Sequence, residues 1–254
     1  MDEKLRTWLE FISLVKNFLN NVDKRSYRPF LIQIKEINED LESSKILYRA
    51  KKYRNSIILL SQAVEKITKS NLMFIGVFDS KQAKKISHIT PEAYLELFRS
   101  EFSKLGFKAV GYQETTNGTY DKFTKLLKKD KLTVATLSYE EIQNWFVLYE
   151  KSNDVLTQIF NKIDPYSKRE FIQKWALSLL HLYYLSFILY PHYEIGRYQS
   201  ELKTRVIYDE NNSIVRLYPE LIEKVIDCVD SISYFAEAAY QRKKDFDTLL
   251  SIMI

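Results

Sequence analysis

The chain has 254 residues, 46% of them hydrophobic, and a formal net charge of +5. Only five Gly and five Pro occur over this length, and so few turn-forming residues argue against an all-β fold, which needs a turn about every ten residues. The single cysteine, Cys228, excludes an internal disulfide and a cysteine-rich zinc site. The mild positive charge is compatible with a nucleic-acid partner without requiring one.

Three amphipathic helices are predicted in the first part of the chain, at residues 2–22, 28–50 and 53–75. Acidic residues such as Asp2 and Glu10 interrupt the first of them, so it resembles neither a signal peptide nor a transit peptide, and a cytoplasmic location is expected. The stripe of the third helix that is predicted to be buried comprises Leu60, Ala63, Val64, Ile67, Asn71 and Phe74.

The middle of the chain, about 91–165, is predicted to contain shorter helices separated by loops. Ser138 and Glu141 have the S-x-x-E spacing of a capping box, in which each side chain accepts a hydrogen bond from the backbone N–H of the other residue. A helix is therefore expected to begin at Ser138.

A long apolar helix is predicted at residues 166–190, and Pro191 is expected to end it. Its most apolar part, 175–190, is 16 residues long, whereas a membrane-spanning helix needs about 20. A helix buried in a protein core is expected, and no membrane partner. A loop at 201–216 and a final helix at about 218–246 complete an all-α fold.

The stretch LYPHYEIGRYQS, residues 189–200, brings together an imidazole, two phenols and a guanidinium: His192, Tyr193, Tyr198 and Arg197. Arg197 and Tyr198 have the chemistry to hold a phosphate and to stack on a base. In the alternative interpretation, Arg197 bonds the terminal carbonyls of the preceding helix, while Tyr193 and Tyr198 pack on the bundle. The sequence leaves both interpretations open.

Further polar candidates lie in the third predicted helix and after it. Glu65 and Lys69 are four residues apart with Glu first, which is the spacing of an ordinary surface ion pair. Lys66 shares their polar face and is a conceivable phosphate ligand. His88 directly precedes a predicted helix, and His181, inside the apolar helix, is expected to be buried and bonded to a backbone carbonyl or a tyrosine hydroxyl.

Two separated stretches together resemble the HEPN family (higher eukaryotes and prokaryotes nucleotide-binding domains). Residues 41–76 are similar to its front helix pair, where a short basic turn precedes a helix with a pattern like A-x-E-K-x-x-K. SHIT at 87–90 resembles the Thr-His or Ser-His pair that follows. The HYxxxRYP segment of the family is matched by His192, Tyr193, Arg197 and Tyr198, with Gln199 in place of the proline.

The resemblance implies one all-α domain over residues 1–254, built as an up-and-down helical bundle of the HEPN type. Its core would comprise about 28–90 and 166–245. The helices at about 91–165 would be an insertion, and the helix at 1–25 would be an N-terminal addition.

The resemblance also implies nucleotide or RNA binding in a toxin–antitoxin or antiviral defence context. The nuclease branch of the family carries Arg-x(4–6)-His, in which histidine exchanges a proton with the ribose hydroxyl and arginine binds the phosphate. No arginine stands at that distance before His88, His181 or His192, so binding without catalysis is the leading prediction. Its ligand residues are Lys66, Lys69, His192, Tyr193, Arg197 and Tyr198, with Glu65 and His88 as secondary candidates.

Two alternatives stay open. One is a ribonuclease with a degenerate motif that relies on His88 or His192. The other is a structural or interaction protein that docks a nucleotidyltransferase or forms a homodimer, as members of the family commonly do. No cofactor is expected, and no metal site, because three scattered histidines and one cysteine lack metal-ligand spacing.

Overall fold

A computed structural model describes residues 24–74, 135–144, 170–198 and 206–241. This part of the chain consists of helices and turns without a strand, which confirms the predicted all-α class. The four long helices are α1 (Lys24–Arg49), α2 (Tyr53–Phe74), α3 (Glu170–Tyr198) and α4 (Ser213–Gln241). A short helical segment at 139–144 lies between α2 and α3 in the chain. The predicted N-terminal helix at 2–22, most of the predicted insertion and His88 lie outside the described residues.

The four helices run alternately up and down. Arg54, at the start of α2, bonds Gly196, at the end of α3, and Trp175, near the start of α3, bonds Asn71, near the end of α2. In the middle of the bundle, α2 and α4 contact each other, and each of them also contacts both α1 and α3. None of the described helices is long and apolar enough to cross a membrane.

Trp175 joins three helices in the core. Its indole Nε1 donates a hydrogen bond to Asn71 Oδ1 on α2 at 3.0 Å, and its ring stacks on Phe235 of α4 with centroids 4.3 Å apart. A buried tryptophan needs such an acceptor for its N–H group. The sequence prediction for α2 is confirmed here, since Asn71 and the other members of its predicted stripe are buried.

A second buried cluster joins α1, α2 and α4 near the other end of the bundle. Ser44 Oγ donates to the backbone carbonyl of Ser56 at 2.8 Å and lies 2.7 Å from the hydroxyl oxygen of Tyr218. Ser56 Oγ in turn donates to the carbonyl of Ser44 at 2.9 Å. These reciprocal bonds satisfy polar groups that would be costly to bury without partners.

The predicted capping box is confirmed. The backbone N–H of Ser138 donates to Glu141 Oε2 at 2.7 Å, and the N–H of Glu141 donates to Ser138 Oγ at 3.2 Å. These bonds stabilise the ionised carboxylate and hold the pKa of Glu141 below its usual value.

The prediction that Pro191 ends the apolar helix is wrong, because α3 continues through Pro191 to Tyr198. A proline inside a helix removes one backbone hydrogen bond and costs about 3 kcal/mol. On both sides of it, Tyr190 and Tyr193 are buried against the bundle, and burial of one large side chain contributes about 1.5–3 kcal/mol. The packing of this segment therefore outweighs the local preference of proline to end a helix.

The start of α4 also differs from the sequence prediction. The helix begins at Ser213, so the end of the predicted loop at 201–216 is helical. Asn212 Oδ1 accepts a hydrogen bond from the N–H of Ile214 at 3.1 Å, which caps the first turn. Pro219 lies inside α4.

Candidate functional site

One end of the bundle collects basic side chains. We call this region the basic end and define it as residues 49–54, 194–197 and 209–216. It contains six basic and three acidic residues, and all six basic side chains are exposed. The basic residues are Arg49, Lys51, Lys52, Arg54, Arg197 and Arg216. An exposed surface with more basic than acidic side chains attracts anions.

Arg54 connects α2 to the end of α3. Its Nε atom donates to the carbonyl oxygen of Gly196 at 2.7 Å, and its Nη2 atom donates to the same oxygen. The last carbonyls of a helix commonly need a partner from outside the helix. A Cβ atom on Gly196 would lie 2.8 Å from Cδ1 of Ile58, so the missing side chain allows α2 to approach this closely.

Arg197 lies next to this contact and is exposed. Its Nη1 atom donates to the hydroxyl of Tyr193 at 2.5 Å, and its guanidinium carbon lies 5.2 Å from the centre of the Tyr193 ring. Tyr193 itself is buried. Among the described residues, Arg54 therefore bonds a terminal carbonyl of α3, whereas Arg197 bonds Tyr193, one turn earlier in the same helix. The side chain of Tyr198 lies outside the described part of the chain.

His192 is buried inside the bundle. Only 2% of its surface is exposed, and its Nδ1 atom lies 3.1 Å from the hydroxyl oxygen of Tyr208. Burial lowers the pKa of His192 to about 3, because a charged imidazole is poorly solvated there. The same cause raises the pKa of Tyr208. The pair is neutral near pH 7, and His192 is positioned to hold the 206–208 segment against α3.

Lys66 and Lys69 do not join Arg197. Lys66 Nζ lies 2.6 Å from Asp40 Oδ2 on α1, and Lys69 Nζ lies 2.7 Å from Glu65 Oε1 on its own helix. Lys66 follows Arg54 by 12 residues, which corresponds to about 18 Å along a helix. The structure thus divides the predicted ligand residues between the middle of the bundle and its basic end.

The α1–α2 turn presents a further cation. The N–H of Lys52 bonds the carbonyl of Leu47 at 2.8 Å and that of Lys51 bonds Tyr48 at 2.9 Å, which is the Schellman pattern. Lys51 occupies its left-handed position with φ 58°. Glu210 Oε1 accepts hydrogen bonds from Lys51 Nζ at 2.8 Å and from the Tyr53 hydroxyl at 3.2 Å.

Arg54, Tyr208 and Glu210 were not identified as site residues from the sequence. Arg54 does lie in the basic turn that contributes to the family resemblance, but its spacing in the chain does not reveal the contact with Gly196, 142 residues later. No group of three or more potential metal ligands among His, Cys, Asp and Glu occurs within the described ranges.

No family model, no curated protein and no solved structure matches this chain. The HEPN assignment therefore stays a prediction from the motifs and their order.

Proposed function

We propose that this chain is a HEPN-like helical protein that binds a phosphate-bearing ligand, a nucleotide or RNA, at its basic end without catalysing a reaction. The observation that carries the proposal is the placement of two exposed arginines on adjacent helices: Arg54 bonds the carbonyl of Gly196, and Arg197 is the next residue. Guanidinium groups match the geometry of phosphate oxygens and can bind them in pairs.

The two arginines are already held in place by the fold. Arg54 uses Nε and Nη2 for the Gly196 carbonyl, so its Nη1 group is available for a second acceptor as far as the described residues show. Arg197 is held by the hydroxyl of Tyr193. A side chain that is ordered before binding loses less conformational entropy when the ligand arrives.

The burial of His192 supports binding in preference to catalysis. A general acid or base works best with a pKa near the operating pH and must reach the proton it transfers. His192 is buried with a pKa of about 3, and burial also holds the pKa of His181 well below its ordinary value. The ribonuclease alternative would then depend on His88, and an RNA cleavage assay of His88→Ala tests it directly.

Binding can be measured by titrating labelled ATP and a labelled eight-nucleotide oligouridine with the protein. We expect Arg54→Gln combined with Arg197→Gln to weaken binding at least about tenfold, because hydrogen bonds to charged groups contribute about 1.5–3 kcal/mol. The control is Arg28→Gln combined with Lys35→Gln, which removes the same charge from exposed positions on α1. Absence of micromolar binding to the wild type, or an equal loss in the control, would refute the proposal.

Protein–protein interaction is the second candidate function, and one feature of α1 favours it. Leu31 and Ile32, which adjoin each other near the start of the helix, are 46% and 57% exposed, and Ile46, about 21 Å further along it, is 63% exposed. Exposed apolar side chains that adjoin one another, as Leu31 and Ile32 do, can contribute to protein contacts. Light scattering of the wild type, alone and with the product of a neighbouring gene, tests for a homodimer or a nucleotidyltransferase complex; a strict monomer in both measurements counts against it.

A further inference from the structure

We propose that Glu210 is an internal competitor of the anionic ligand. In the unliganded chain its carboxylate occupies the cationic α1–α2 turn, and a bound phosphate takes its place. This inference rests on the proposed function and adds to it the residue that determines how strongly the basic end discriminates between anions.

The contacts of Glu210 are those that a bound anion would make. One carboxylate oxygen, Oε1, accepts hydrogen bonds from both Lys51 Nζ and the Tyr53 hydroxyl. The side chains of Lys51 and Glu210 are 73% and 66% exposed, so solvent and ligand reach the pair directly. An ion pair as exposed as this is weak and opens readily.

The fold presents Glu210 at this position. Asp209 Oδ1 accepts hydrogen bonds from the N–H groups of Asn211 at 2.9 Å and Asn212 at 3.1 Å, which forms a tight turn around Glu210. On the preceding side, Tyr208 is held by His192. The turn is therefore anchored on both sides of the carboxylate.

Glu210 also lies in the same region as the two arginines. Tyr53 bonds Glu210, and the next residue, Arg54, bonds the carbonyl that precedes Arg197. Burial raises the pKa of Tyr208, and the positive charge of Arg54 opposes this shift. Because Tyr53 and Arg54 are consecutive residues, we expect a ligand held by the two arginines to have the Glu210 carboxylate as a neighbour.

The backbone of Lys51 supports a role for its charge. The left-handed position of a Schellman turn is usually glycine, because other residues are strained there. Lys51 adopts φ 58° at this position. Strained residues are often retained where their side chain has a function, and the function here would be to supply a cation at the ligand site.

A phosphate group differs from a carboxylate in its charge and in its number of acceptor oxygens, and these differences allow it to displace Glu210. A terminal phosphate carries close to two negative charges and three acceptor oxygens, so it can accept hydrogen bonds from Lys51, Tyr53 and Arg54 together. A singly charged anion gains less and competes poorly with Glu210. The carboxylate thus lowers the affinity of the site for all anions and favours those with high charge.

The test compares Glu210→Gln with Glu223→Gln, which makes the same change in net charge at an exposed position on α4. Both are titrated at low salt with labelled ATP and with an eight-nucleotide oligouridine that carries a 5′-terminal phosphate. Glu210→Gln weakens the bonds that engage Lys51 Nζ and the Tyr53 hydroxyl, and this should raise affinity about threefold to tenfold. The remote control should change affinity by less than about twofold. In a Lys51→Gln background the gain from Glu210→Gln should disappear.

Each outcome decides between the two proposals. If the wild type binds but Glu210→Gln gains no more than Glu223→Gln, the inference is overturned and the proposed function stands. If Glu210→Gln raises affinity equally in the Lys51→Gln background, the effect comes from general electrostatics, and the inference is overturned as well. If neither the wild type nor Glu210→Gln binds either probe, the proposed function and the inference fail together.

Discussion

The imidazole Nδ1 atom of His192 lies 3.1 Å from the hydroxyl oxygen of Tyr208 and joins the last turns of α3 to the segment that leads into α4. His192 thereby has a structural role next to the basic end. The exposed basic side chains at this end of the bundle include Arg54, Arg197 and Lys51.

Burial of His192 makes stability depend on pH. Its pKa is about 3 in the folded chain against 6.5 as the reference value, so between these values the unfolded chain binds a proton that the folded chain does not. The free energy of unfolding therefore falls as the pH drops through this window. From pH 7 to pH 5, one such histidine accounts for a loss of about 2 kcal/mol.

We expect His192→Gln to reduce the difference in unfolding free energy between pH 7 and pH 5 by about that amount, about 2 kcal/mol. Urea denaturation at the two pH values measures it. The pKa of His181 is lowered as well, so His181→Gln should show a change in the same direction. A pH dependence in His192→Gln equal to that of the wild type would contradict the buried neutral imidazole.

Because Gly196 and Ile58 lie so close together, the effect of Gly196→Ala on the free energy of unfolding should change sign when Ile58 is replaced by alanine. A Cβ at residue 196 would lie 2.8 Å from Cδ1 and 2.9 Å from Cγ1 of Ile58. Gly196→Ala should therefore lower the free energy of unfolding by about 1 kcal/mol, since overpacking at about 1–3 kcal/mol exceeds the gain in helix propensity. With Ile58→Ala the obstacle is gone, and Gly196→Ala should raise stability by up to about 1 kcal/mol. Urea denaturation of the four proteins gives the result; the same effect in both backgrounds would rule out the contact as its cause.

The buried hydrogen bonds of Ser44 predict that removing its hydroxyl costs more stability than removing the hydroxyl of Tyr218. Tyr218→Phe removes a hydroxyl 2.7 Å from Ser44 Oγ and keeps the stacking on Tyr48, whose ring centre is 4.1 Å away. We expect it to cost about 1 kcal/mol. Ser44→Ala should cost about 2–3 kcal/mol, because it also leaves the Ser56 carbonyl and the Tyr218 hydroxyl without this partner. The double variant should lose less than the sum, and strict additivity in thermal unfolding would contradict the arrangement.

The left-handed conformation of Lys51 predicts that stability and binding change in opposite directions. Lys51→Gly should raise the unfolding midpoint by about 2 °C, because glycine adopts this conformation without strain. It should also weaken oligouridine binding. Lys51→Ala is the matched control, since it removes the same charge without relieving the backbone. Calorimetry and titration of both variants test the prediction, and stabilisation by alanine as large as that by glycine would disprove it.

Features that depend on neighbours in sequence were predicted well. The buried stripe of α2 and the capping box of Ser138 and Glu141 follow from helical spacing, because residues three and four apart share one side of a helix. The prediction that Pro191 ends the apolar helix was wrong for a related reason. Its effect on the helix is local, whereas the packing of Tyr190 and Tyr193 that carries α3 past it involves other helices.

The candidate site was only partly predictable. The stretch 189–200 does contribute to it, through Arg197. His192 has the same polar character in sequence, yet it is buried, and Lys66 and Lys69 are engaged with Asp40 and Glu65. Sequence shows that a side chain can ionise, but its pKa and exposure depend on which surfaces pack around it.

By itself, the sequence determined the helical class and the apolar face of each well-patterned helix, because the period of 3.6 residues is a local property of the chain. Only the tertiary structure decided that Arg54 and Arg197 lie together and that Glu210 shares their surface. These residues meet because helices packed alternately up and down bring the end of α3 to the beginning of α2, and the absence of a side chain at Gly196 lets them approach.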